Sequence, residues 1–382
     1  LVYSLMVLPI QLSHFFAVDT FLNFFLVLSF YLALRRKTML AGVSLGLALA
    51  CKVSALLFLP VIMAIIWQNN RKKEIKNFLR DNSCFLLFAF ISFRLFSPYS
   101  FTGFIALNPQ FIDNLRTLKS FNNPDAWFPP GVQWIKTKPI IFPAINLFFW
   151  GLGLPLGAIV VLALIFSTKR LILKKQLDFL AWALFWSVFL FLFQGIQFVK
   201  TMRYFLPIYP FLALLAGNLI TIRLAKNRWR AGLILASLLV YPLMFVSIYS
   251  QPHSRVQASK WIFENIPSGS VLSCEHWDDC LPLPLADYRS QSYWIETLHL
   301  YDPDTKGKWA KIADQLEKVD YLILSSNRLW GSIPKVPEKY PVTTKYYRKL
   351  FAEELGFEKI IEFTSLSLIH ISEPTRLGMI SY

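Results

Sequence analysis

The feature that most limits what this chain can fold into is the repetition of apolar runs. Along residues 1–250 they recur at close to the ~20 residues that cross a bilayer. In one of them Asp19 and Thr20 lead into Phe21, Leu22 and onward to Leu34 with no further charge. A bilayer core offers no water to backbone amides, so several such runs imply a polytopic α-helical membrane protein. Of 382 residues, 55% are hydrophobic and 16% aromatic, with a mean hydropathy of +0.45. Disorder and an ordinary soluble enzyme are thereby excluded.

The net charge of +16 raises the question of nucleic acid, and its distribution answers it. Residues 1–250 hold 24 Lys+Arg against 6 Asp+Glu, whereas residues 251–382 hold 15 against 17. The basic excess therefore belongs to the membrane part, where cytoplasmic loops collect Lys and Arg. No nucleic-acid partner is expected.

Four basic clusters, RRK at 35–37, RKKEIKNFLR at 71–80, KRLILKK at 169–175 and RLAKNRWR at 223–230, carry 16 of those 24 residues. Placing all four in the cytoplasm predicts about nine helices. They span about 1–12, 20–34, 39–51, 53–67, 83–98, 145–166, 177–194, 204–222 and 231–249. Parity is met by two short helices turning near Lys52, in preference to one long tilted helix with a misassigned loop; Lys52 then lies toward the outer leaflet or in a polar cavity, because a lipid-facing ammonium is costly there. A long outer loop at about 99–143, rich in Pro and Trp, exceeds ordinary connections and reads as functional.

From about 251 the composition changes. QASKWIFENIP reads as an amphipathic helix and KWAKIADQLEKV keeps helical spacing, while SVLSCE and DYLILSS read as strands, followed by a Tyr-rich helical stretch and FEKIIEFT. Residues 251–364 are thus expected to form a small extracytoplasmic α/β domain. Cys274 and Cys280 could be a disulfide, free thiols or, with His276, a metal site, although the spacing fits no standard zinc pattern. Cys51 and Cys84 lie in apolar stretches and read as packing residues. The chain begins at Leu1 inside an apolar run, so further native sequence is expected upstream. The last stretch, SLSLIHISEPTRLGMISY, resembles translated sequencing-adapter DNA, so residues 365–382 are expected to be non-native.

No P-loop, paired CxxC, HExxH or nucleophile elbow is present. GLGLPLG at 151–157 is not a dinucleotide fingerprint, and its glycines suit close helix packing. The candidate chemistry is instead a set of ionisable residues at the outer ends of helices: His14, Asp19, Lys52, Arg94, Lys200 and Arg203. Arginine and lysine there also suit interfacial anchoring, and Asp19 would suit an N-cap. A sugar on a polyprenyl phosphate would use such a set, because its phosphate leaving group needs cations rather than a general acid. The acceptor hydroxyl needs a carboxylate base, and a divalent cation on hard oxygens could share the charge. The outer acids of the membrane part are Asp19, Asp113 and Asp125.

SHFFAVDTFLNFFLVLSFYLALR, AGVSLGLALACKVSALLFLPVI, FRLFSPYSFTGF, PPGVQWIKTKPIIFPAINLFFWGLGLPLG and MRYFLPIYPFLALLAG occur in an order that resembles the GT-C glycosyltransferases of family 39, the protein-mannosyltransferase-like type. ASKWIFENIPSGSVLSCEHWDDCLPL and DYLILSSNRLWGSIPKVPEKYP resemble the outer domain of a prokaryotic branch. The resemblance implies inverting transfer of a monosaccharide from polyprenyl phosphate to an acceptor hydroxyl, outside the cytoplasm and at a multi-pass cell membrane. It makes Asp19 the second acidic position of the cavity, Lys52 the lysine after the small-residue helix, and Arg203 the arginine of the RY-L-P motif. Lys52, Arg94, Lys200 and Arg203 are then donor-phosphate ligands. His14, Asp125, Trp127, Gln133 and Trp134 would face the acceptor, which could be protein, glycolipid or cell-wall polymer. The family's first acidic outer loop has no counterpart in this sequence, so the principal base is expected upstream and this stretch alone is expected to be inactive. A transporter, or a ligase or polymerase of lipid-linked polysaccharide, would also place charges at helix ends. A transporter would more often show repeated halves and a midplane site.

Overall fold

The computed structural model describes residues 1–71, 74–125, 129–174, 177–225, 227–288 and 290–364, with backbone only for Lys174 and 378–381. The chain divides into two units: Leu1–Asn122 with Lys138–Pro242, and Asn123–Thr137 with Leu243–Tyr382. The boundary expected near 250 lies at 242, and the long loop at 99–143 is split, residues 123–137 belonging to the second unit.

The helices of the first unit are α1 (Val7–His14), α2 (Val18–Leu34), α3 (Thr38–Cys51), α4 (Leu59–Asn70), α5 (Ile75–Phe96), α6 (Pro109–Ser120), α7 (Ile141–Asn146), α8 (Leu154–Lys174), α9 (Phe179–Gly195), α10 (Tyr209–Leu219) and α11 (Arg228–Val246). Among the described residues four helical stretches, Val53–Asn70, Leu154–Leu173, Met202–Leu224 and Arg228–Asn265, are long and apolar enough to cross a bilayer. Val18–Leu34, Thr38–Cys51, Ile141–Leu152 and Phe179–Gly195 are shorter apolar helices. This composition fits the helical membrane class.

Breaks in these helices follow from local sequence. At Lys52 the backbone is extended (φ −161°, ψ 126°), and a 3-10 turn at Val53–Phe58 leads into α4, whose second residue is Pro60. The break expected at Lys52 is therefore present. The single helix expected at 145–166 is instead interrupted: a π-helical turn at Leu147–Leu152 ends at Gly153, whose φ of +84° only glycine adopts without strain. The stretch expected as one helix at 204–222 starts as a 3-10 segment, Met202–Ile208, because Pro207 and Pro210 remove amide donors.

Small residues bring α3 and α5 together. A Cβ on Gly42 would lie 2.3 Å from Phe85 O, and one on Gly46 2.4 Å from Ala89 O. The core beside this pair is aromatic. Phe58 meets Trp186 at 4.6 Å and Phe30 meets Phe211 at 5.2 Å between ring centroids, while Trp186 Nε1 donates to Pro207 O at 3.0 Å.

The second unit contains α12 (Ser254–Asn265), β1 (Val271–Glu275), β2 (Trp294–Leu298), α13 (Lys306–Lys318), β3 (Ile323–Leu324), α14 (Pro341–Phe351), β4 (Ile361–Thr364) and β5 (Gly378–Ser381). Strand β1 pairs in parallel with β2, Val271 opposite Trp294, and a parallel bridge joins Leu272 to Tyr321 just ahead of β3. Strand β5 runs antiparallel between β3 and β4. The expected α/β character is present. Val132, from the 123–137 stretch, is buried in this unit's core with Leu298, Ile312, Leu324 and Tyr347, and Ile135 packs against it.

Two polar networks lie inside the second unit. Asp304 accepts from the Val342 and Thr343 amides at the start of α14, from Thr343 Oγ1 and Trp309 Nε1, and from Lys308 Nζ at 2.9 Å. Burial works to raise its pKa but is outweighed by these donors, which hold it at about 2. Glu275, at the end of β1, accepts from Tyr347 Oη at 2.6 Å, and burial pushes its carboxyl up to about 8. A disulfide joins Cys274 and Cys280, the first of the alternatives the sequence offers, and leaves neither sulfur as a thiolate ligand for the metal-site alternative with His276.

Candidate functional site

Asp19 sits at the second position of α2. The residue in the N-cap position is Ala17, and no side chain caps the helix, so the cap role considered for Asp19 is not the one it plays. Its carboxylate turns inward instead. Asp19 is 2% exposed, and Oδ1 accepts from Lys52 Nζ at 2.7 Å. The first-turn amides of α2 favour an anion at the same end of the helix.

Lys52 reaches Asp19 because it occupies the break after α3, where no helical geometry constrains its side chain. Its Nζ also lies 4.5 Å from the Tyr204 ring centroid, on a π face that attracts cations. The Arg203 guanidinium is 5.6 Å from that ring. One aromatic side chain is thus shared by two cations. The Lys52 side chain is 29% exposed, and an ammonium has three donors, so Asp19 leaves it able to bind a further anion.

Asn23, one turn beyond Asp19, ties α2 to the segment that carries Tyr204. Its Nδ2 donates to Leu206 O at 3.0 Å and lies 3.3 Å from Tyr3 Oη. Asn23 and Tyr204 belong to the site although the charged-residue reading passed over both. A buried amide four residues from Asp19 in an apolar helix, and a tyrosine beside Arg203, were the available signals.

The other expected residues fall as follows. Lys200 is 2% exposed, and its Nζ donates to Phe198 O at 3.0 Å. A buried ammonium with a carbonyl for partner suits an incoming anion. Arg94 makes its contacts away from the Asp19–Lys52 pair: it donates to Gly103 O and Phe104 O and stacks on Phe101. His14 ends α1, exposed, with Nδ1 2.8 Å from Ile10 O. Asp113 is exposed and paired with Arg116 at 2.8 Å. Asp125, Gln133 and Trp134 lie in the second unit, where Gln133 Nε2 donates to Pro130 O. Trp127 lies outside the described residues. Of Asp19, Asp113 and Asp125, Asp19 alone is both buried and held by a cation.

A carboxylate, an ammonium on an aromatic shelf and a neighbouring guanidinium can bind phosphate oxygens and steer a proton. Among the described residues no group of three or more His, Cys, Asp or Glu side chains converges for a metal ion. Comparison with known proteins gives no matching family model, no similar curated protein and no similar solved structure.

Proposed function

We propose that this chain is a membrane glycosyltransferase that moves a monosaccharide from a polyprenyl-phosphate donor to an acceptor hydroxyl on the extracytoplasmic face. The observation that carries the reading is the pair of the buried Asp19 with the half-buried Lys52, which is seated on Tyr204 beside Arg203. Lys52, Arg203 and Lys200 hold the lipid phosphate and stabilise its charge as the glycosidic bond breaks. Asp19 positions Lys52, at a helix end whose first-turn amides favour an anion. The Cys274–Cys280 disulfide supports an oxidising location for the second unit. The basic clusters support the matching topology, with the helix ends that bear Asp19 and Lys52 outside.

The test is transfer from a polyprenyl-phosphate sugar by the complete protein in proteoliposomes. Lys52→Met is expected to lower kcat/KM by about 10²- to 10³-fold, the cost of removing one group that stabilises developing charge. Asp19→Asn is expected to act in the same direction and more weakly. Transfer within threefold of wild type in both variants would remove the site from the mechanism, as would transport of an intact lipid without sugar transfer.

A further inference from the structure

The segment that follows α5 is a small, fully tied hairpin. A 3-10 turn at Pro98–Ser100 leads to an antiparallel bridge between Phe101 and Leu107. The Thr102 amide donates to Ala106 O at 3.0 Å and the Asn108 amide to Ser100 O at 2.9 Å. Phe101 packs on Phe90 and Phe93 of α5, with centroids at 6.0 and 5.4 Å. Arg94, also on α5, donates from Nη2 to Gly103 O at 3.1 Å and from Nε to Phe104 O at 3.3 Å.

The tip this arrangement presents is apolar. Phe104 is 77% exposed, Ile105 71% and Tyr99 69%, and Leu107 is also exposed. On α5, the helix that Phe101 packs against, Leu87, Ile91, Leu95 and Phe96 are exposed as well. Large apolar side chains exposed on an ordered segment mark an interaction site, and the helix beneath this one exposes a row of them at helical spacing, Leu87, Ile91 and Leu95. Backbone carbonyls at such a turn normally rely on water, which is absent at membrane depth. Here the guanidinium takes that place for Gly103 and Phe104.

We infer that the Ser97–Asn108 hairpin enters the apolar edge of the bilayer leaflet in which α5 ends, with the lipid surface as its partner and Arg94 as the group that makes its backbone tolerable there. Tyr99 then lies at headgroup level, where aromatic rings concentrate. The inference rests on the chain being a membrane protein and not on the transfer chemistry. Arg94 becomes a positioning residue for the hairpin in place of a phosphate ligand.

The test uses the full chain in phospholipid nanodiscs with Cys51 and Cys84 replaced by serine, the other two cysteines being joined in the disulfide. A fluorophore is placed on Phe104→Cys, with Leu87→Cys on α5 and Lys119→Cys on α6 as references. Emission from position 104 is expected to be blue-shifted and quenched by doxyl-labelled lipid as strongly as position 87. Iodide should quench it several-fold less than position 119. In an Arg94→Gln background, position 104 should gain iodide quenching while position 87 stays unchanged. Iodide quenching at 104 equal to that at 119 overturns the proposal, as does shielding from both quenchers, which would mean a protein surface covers the tip. If position 87 is also reached by iodide and spared by doxyl lipid, the membrane reading fails with it; a fault in the transfer reading alone leaves these signals untouched.

Discussion

At the scale of single residues, the Asp19–Lys52 pair has two separable roles, holding the fold and binding a ligand. Asp19 is buried and Lys52 half-buried, so removing the lysine leaves a buried carboxylate uncompensated and is expected to destabilise the fold. Loss of transfer in a single variant therefore mixes instability with chemistry. The exchanged pair Asp19→Lys with Lys52→Asp separates them: its unfolding midpoint in detergent should recover toward wild type while transfer stays low, because the ammonium no longer lies on Tyr204. Recovery of transfer together with stability would mean that the pair only braces the helices. Glu275 offers a second residue-level test. Its carboxyl, ordinarily near 4.5, is pushed up to about 8 by burial, so the folded form keeps a proton that the unfolded chain loses. Stability of the second unit should fall as pH rises from about 4.5 to about 8, by at most roughly 1.4 kcal/mol per unit, and level off above. Glu275→Gln should flatten that slope in melts followed between pH 5 and 8. Asp304 works in the opposite sense: held at about 2, its contribution is complete above its ordinary value of 3.8 and is lost as pH falls through about 2.

At the scale of elements, the contact between α3 and α5 depends on two glycines. A methyl at either Gly42 or Gly46 meets a backbone carbonyl, which cannot rotate away. Gly46→Ala is expected to destabilise by about 1–3 kcal/mol through overpacking. A methyl on Gly232 in α11 would meet nothing within 4 Å, so Gly232→Ala should be neutral or gain up to about 1 kcal/mol of helix propensity. Thermal unfolding of both variants in one detergent checks the contrast, and equal midpoints would contradict the packing account. The break at Lys52 was legible in the sequence because a lone charge divides two apolar runs. The interruption at Gly153 was not, because glycines in an apolar run signal packing and chain reversal alike. Helix α6 was passed over inside the long loop, although Asn108, whose side chain accepts from the Gln110 amide, and Pro109 form an ordinary helix start. Strand β2 was missed because five residues beside a parallel partner carry little periodic signal.

At the scale of the whole molecule, charge and hydropathy place a change of composition near residue 251, and the two compact units divide at 242. What they could not show was which unit takes residues 123–137. That depends on Val132 and Ile135 finding the core formed by residues more than 150 positions away, a tertiary choice without a local pattern. The site was legible by the same division: Asp19, Lys52 and Arg203 stood out as charges in apolar surroundings. Tyr204 and Asn23, whose contribution is geometric, did not.

The assignment of 123–137 to the second unit has a consequence in time. A ribosome delivers this stretch more than a hundred residues before the rest of the unit's core exists. Until then Val132 has no interior to enter, and the segment must wait in an open form while the intervening helices are synthesised and packed. The second unit therefore cannot finish before the first is largely laid down. An error in the early packing of those helices would be inherited by a fold whose remaining strands have not yet been synthesised.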